Sequence, residues 1–122
     1  MVNTWSLKYN IFYQYVIGLE TFDKSVIDTE LDYYVNVKIN EFGVPLDNRA
    51  TFTKLDWQSW VAAMSTNTTQ FNDIISSIYN FANVTPDRVP LTDWYDTISA
   101  KCTGFRARTV VGGFYAKMLL VN

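Results

Sequence analysis

Apolar residues fall at steps of three and four along almost the whole of this chain, and that spacing is the pattern of helices. Trp5, Tyr9, Phe12, Val16 and Leu19 form one stripe, while Leu7, Ile11 and Tyr15 form a second. A helix from Trp5 to Leu19 with two apolar faces needs cover on both. Gly18 and Asp23 mark a break. A second helix is expected from Lys24 to Asn40, with Ile27, Leu31, Tyr34 and Val35 inward and Asp28, Glu30, Asp32 and Lys38 outward.

Gly43, Pro45 and Asn48 make residues 41–52 a loop. Thr53 then reads as an N-cap, with Asp56 three residues on as in a capping box. That third helix runs to about Ser65, with Trp57, Trp60, Val61 and Met64 inward. Asn67 or Thr68 caps a fourth, striped by Phe71, Ile74, Ile75 and Ile78. After a loop holding Pro86 and Pro90, Thr92 to Ala100 is expected to form a short capped helix. Residues 101–109 read as irregular or extended, and Val110 to Val121 as a last helix. The adjacent Gly112 and Gly113 in that helix leave room for close packing. The repeated order of helix, helix, loop, without a strong strand run, predicts an all-α fold of helical hairpins forming a single domain over residues 1–122.

Composition excludes several functions. At 48% hydrophobic and 16% aromatic, the chain carries enough apolar surface to build a core rather than stay disordered. Net charge is −2 and the ten basic residues are scattered, so there is no positive footprint for nucleic acid. No apolar run reaches the length of a membrane span. The first residues, Met1 to Trp5, lack the pattern of a signal peptide. The chain has no histidine and one cysteine, Cys102. An internal disulfide, a Cys-rich zinc site, a Ser-His-Asp triad and a Cys-His pair are therefore absent from it. Acid or base work falls to carboxylates, Lys or Tyr; no metal or cofactor is expected. Asn67-Thr68-Thr69 and Asn83-Val84-Thr85 match the glycosylation tripeptide.

Three long runs, FGVPLDNRATFTKLDWQSWVAAM, TPDRVPLTDWYDT and GFRARTVVGGFYAKML, together resemble the C-terminal part of the fungal glutaminase A family. The resemblance extends from about Trp5 to the end. It implies the last hairpins of a six-hairpin (α/α) barrel, in a longer secreted amidohydrolase that releases ammonia from glutamine. The family pattern has His where this chain has Phe114, so any polar role of that His is missing here. By the resemblance the protein is extracellular.

Candidate site residues lie in those runs. Arg49 or Lys54 could hold a substrate carboxylate and Asp47 an ammonium group, charges fitted to a small amino acid; alternatively Asp47 and Arg49 pair to fix their loop. Asp93 and Asp96 bracket Trp94 and Tyr95. Either they face a cleft with Trp94 as a wall, or they serve a helix start, where carboxylates favour the dipole. Asp93, Asp96 and Asp56 are the catalytic candidates. Arg106 and Arg108 share one face of an extended segment and either bind an anion or pair with Asp93 and Asp96. Trp57 and Trp60 read as core.

A few hairpins from a ring would leave apolar seams open. Burial contributes about 25 cal/mol per Å², so self-association or repacking into a compact bundle is expected. On the glutaminase reading, the isolated chain has little or no activity. The alternative is a small secreted non-enzymatic protein that binds a glycan, a cell surface or an immune cell.

Overall fold

A computed structural model describes residues 3–121. The expectation of no leader pattern at the start rests partly on Met1 and Val2, which lie outside that range. The order of elements is a 3-10 turn at Tyr9–Ile11, α1 (Phe12–Ile17), α2 (Lys24–Tyr33) continuing as a π-helical turn (Tyr34–Lys38), β1 (Phe52–Lys54), α3 (Leu55–Met64), α4 (Thr68–Val84), β2 (Trp94–Asp96) and a C-terminal 3-10 helix (Thr109–Leu119).

The all-α expectation is overturned. About half of the chain is helical, but β1 and β2 form a two-stranded antiparallel sheet with Phe52 opposite Asp96, Thr53 opposite Tyr95 and Lys54 opposite Trp94. Two expectations fall with it. Thr53 is not a helix cap: it is a strand residue, fully buried, and Lys54 occupies the N-cap position of α3. The segment Thr92 to Ala100 is not a helix either. A helix of that length gains little from its own hydrogen bonds. Here its backbone is instead taken up by neighbours: Leu55 N–H donates to Asp93 O at 2.8 Å and Thr97 N–H to Thr51 O at 3.0 Å. β-branched and aromatic residues also favour the extended state on both sides of the pair.

The helical stretches match their sequence patterns more closely. Asp23 caps α2 by accepting from Ser25 N–H, and Asn67 caps α4 by accepting from Thr69 N–H at 2.9 Å. The first helix is shorter than its stripes predict, because Gly18 takes a left-handed conformation and ends α1 at Ile17. The last segment is wound as a 3-10 helix, with only Ala116 fully buried.

α3 is the centre of the molecule. Its N-terminal half carries the buried Leu55, Asp56, Gln58 and Ser59, and its C-terminal half Val61, Ala62, Ala63 and Met64. The core on one side comes from Ile27, Leu31 and Tyr34, and on another from Ile74, Ile78 and Phe81. Tyr95 lies flat on Phe81 with ring centroids 3.5 Å apart. Its hydroxyl accepts from Gln58 Nε2 at 2.8 Å and donates to Phe42 O at 2.8 Å, so a buried polar network closes around the strand pair. The 3-10 helix lies against α3 at Gly113, where a Cβ would stand 2.7 Å from Asp56 Cβ and 2.9 Å from Trp60 Nε1. Lys117 Nζ donates to Ala63 O at 3.0 Å and to Ser65 O at 3.2 Å, placing a cation on the carbonyls at the C-terminal end of α3.

Candidate functional site

β1 runs directly into α3, and β2 lies beside both. This junction carries side chains of opposite charge into one place. Strand alternation sends Thr53 and Tyr95 towards the core and Lys54 and Trp94 to the other face. Lys54 Nζ donates to Asp93 Oδ2 at 2.7 Å, with the Asp93 side chain fully buried and Lys54 only 12% exposed. Arg108 approaches the same oxygen at 3.9 Å and stays partly exposed.

Aromatic rings wall the lysine. Its Nζ lies 5.2 Å from the ring centroids of Trp94 and Phe105 and 5.8 Å from that of Trp57. Arg108 stacks on Phe105 at 4.6 Å. Residues 101–108, which carry Phe105 and Arg108, are fastened to β2 and the residues before it by Thr103 N–H on Trp94 O, by Ala107 N–H on Leu91 O and by the Thr92 hydroxyl on Phe105 O.

Asp56, in the first turn of α3, completes the cluster. It is buried, and no cation among the described residues bonds it. Burial pushes its carboxyl up from the ordinary range and the charge of Asp93 adds to that push, against the opposing pull of the backbone N–H groups of Asp56 and Trp57 and of Lys54. Thr53 Oγ1, Asp56 Oδ1, Asp93 Oδ1 and Trp94 Nε1 are all buried without a hydrogen-bond partner. Of these, Asp93 Oδ1 and Asp56 Oδ1 belong to the carboxylates near Lys54, while Thr53 Oγ1 lies on the core face of the strand pair.

The structure thus brings together Lys54, Asp56, Asp93, Trp94 and Arg108 from the candidate set. It places the others elsewhere. Asp96 is occupied by the turn after β2: against the upward push of burial, hydrogen bonds from Thr51, Ser99 and Ile98 hold its carboxyl below the usual range. Tyr95 is in the core. Arg106 pairs with Asp87 at 2.5 Å rather than with Asp93 or Asp96. Asp47 and Arg49 pair with each other, Nη2 to Oδ2 at 2.6 Å, at the rim of a groove of about 410 Å³. Tyr9 and Trp57 stack at 4.1 Å beside that groove. Trp57, which reads from sequence as core, therefore belongs both to the groove and to the wall around Lys54. Phe105 is absent from the sequence candidates; its place between Gly104 and the two arginines is the signal that points to it. Cys102 is part-buried in the fastened segment, and Asn67 and Asn83 are exposed at the two ends of α4.

Helices packed beside a short strand pair that carries a buried cation–carboxylate cluster make up the described residues. A family model, the glutaminase A six helical-hairpin domain, matches residues 1–118. The chain belongs to that family. It is 33% identical over 120 residues to Glutaminase A of Aspergillus oryzae, covering 96% of this chain and 17% of that protein. It is 34% identical over 100 residues to a protein of Arthroderma benhamiae named "Probable glutaminase", covering 80% of this chain and 11% of the relative. The chain thus spans less than a fifth of the length of these relatives. No solved structure matches it.

Proposed function

We propose that this chain forms part of the reacting region of an enzyme that hydrolyses the side-chain amide of glutamine, with Asp93 as the base that activates water. The supporting observation is the buried pair of Lys54 and Asp93. Lys54 occupies one carboxylate oxygen and leaves Oδ1 of Asp93 free for a water or a substrate amide. A desolvated carboxylate held by a neighbouring cation is fixed in position for proton transfer. Arg108, loosely placed at 3.9 Å and partly exposed, is available to the carboxylate of an amino acid.

The isolated chain is expected to release little or no ammonia from glutamine, since it spans 17% of the Aspergillus oryzae relative. The test exchanges the matching part of that relative for this segment. Ammonia release by the chimaera, with little or none by the segment alone, supports the reading. Full activity of the segment alone would refute the expectation, and a folded but inactive chimaera would count against the glutaminase role.

The isolated chain is also proposed to self-associate. Tyr13, Ile17 and Leu19 around α1, and Tyr115, Met118 and Leu119 on the 3-10 helix, are more than half exposed. These two flanks meet at Trp60, which touches Tyr13 with ring centroids 5.4 Å apart and lies against Gly113. Apolar residues grouped in this way favour a covering surface.

A further inference from the structure

Asp56 and Asp93 stand in unequal surroundings. Lys54 bonds Asp93 directly and Arg108 approaches it, while no cation among the described residues bonds Asp56. The two segments are stitched together by Leu55 N–H on Asp93 O at 2.8 Å, so Asp56 follows one residue after the point of contact. Both side chains are buried and each keeps one oxygen without a partner. Burial without a bonded cation favours the protonated form of Asp56.

We propose that the pair divides the acid and base work of amide hydrolysis, with Asp93 the base and Asp56 the proton donor to the leaving nitrogen. This rests on the glutaminase reading. Asp93 takes a proton from water as its oxygen bonds to the amide carbon. Asp56 gives its proton to the amide nitrogen as the carbon–nitrogen bond breaks. Ammonia and a carboxylic acid leave, and transfer of the proton from Asp93 to Asp56 restores the starting state. The upward push on the Asp56 carboxyl from burial and from Asp93 agrees with this assignment.

The charged groups near Asp56 are few. Lys54 precedes it, and Asp93, just before β2, acts on it through its charge, with Arg108 beside Asp93. α1 carries no charge, and the nearest cation of the C-terminal 3-10 helix, Lys117, is engaged on carbonyls at the far end of α3.

The test is a site-resolved carboxyl titration of the 122-residue chain by carbon NMR. Asp56 is expected to titrate above the ordinary aspartate value of 3.8. In Asp93→Asn the Asp56 midpoint should fall, because its anionic neighbour is gone. A wild-type midpoint for Asp56 at or below that ordinary value overturns the assignment, and the wild-type protein decides this even if the variant fails to fold. In the active chimaera, Asp56→Asn should remove the alkaline limb of the kcat/KM profile and lower its plateau by about a hundredfold or more. An unchanged profile would also overturn it. Because the titration needs no turnover, an inactive chimaera strikes the glutaminase reading, whereas an Asp56 midpoint that is not raised strikes this inference.

Discussion

Lys54 Nζ lies 2.7 Å from Asp93 Oδ2, and the carboxylate it holds has no contact with solvent. Removing one member of such a pair leaves an uncompensated buried charge. Lys54→Met is therefore expected to cost about 3–5 kcal/mol of stability, whereas Lys54→Met combined with Asp93→Leu should recover most of that. Urea denaturation of both variants and of Asp93→Leu alone completes the cycle. A double variant no better than the worse single variant would show that the pair is not coupled.

Asp56 gives a pH signature of opposite sign to that of the surface carboxylates. Its carboxyl is raised above the ordinary value of 3.8, so the native state favours the protonated form. Its contribution to stability is fully present below that value and is lost as pH rises through the folded midpoint. Asp56→Asn should raise Tm at neutral pH, and the gain should fade on acidification and vanish below about pH 4. Asp87, lowered by the Cys102 amide and by Arg106, behaves the other way: its contribution is lost as pH falls. Thermal melts of wild type and Asp56→Asn across this range check the sign, and a Tm gain that grows on acidification would contradict it.

Gly112 and Gly113 are neighbours with different surroundings. A Cβ on Gly113 meets Asp56 and Trp60, while one on Gly112 meets nothing within 4 Å. Gly113→Ala is expected to cost about 1–3 kcal/mol through overpacking. Gly112→Ala should be neutral or stabilising by up to about 1 kcal/mol, by restricting the unfolded chain. Denaturation midpoints measured side by side check the contrast, and equal effects would contradict the packing of the 3-10 helix on α3.

The exposed flanks make a hydrodynamic prediction. The chain should sediment as more than a monomer at micromolar concentration, and Ile17→Glu with Met118→Lys should shift it towards monomer. Sedimentation velocity reads this directly. A wild-type monomer across that range would remove the case for self-association.

Helical spacing reveals α2, α3 and α4 in the sequence because their stripes are local, and the cap of α4 is narrowed to Asn67 or Thr68; Asp23 reads only as part of a break, although it caps α2. The strand pair is not legible in the same way. It joins Thr53 to Tyr95, and each strand is defined by its backbone partner, which no local pattern contains. The same gap hides the site. Lys54 and Asp93 are both candidates by residue type, but their pairing depends on that register, as does the separation of Asp96 into a turn. Phe105 escapes sequence reasoning because its role is to stack between Arg108 and Lys54, a contact set by the fold of residues 101–108.

The most direct test of the central claim, that Asp93 is the base of a glutamine-hydrolysing site, is Asp93→Asn in the active chimaera with the Aspergillus oryzae relative. Initial rates of ammonia release from glutamine should fall by about a hundredfold or more while the chimaera stays folded. Rates equal to those of the unsubstituted chimaera would contradict the claim and leave the Lys54–Asp93 pair a structural clamp.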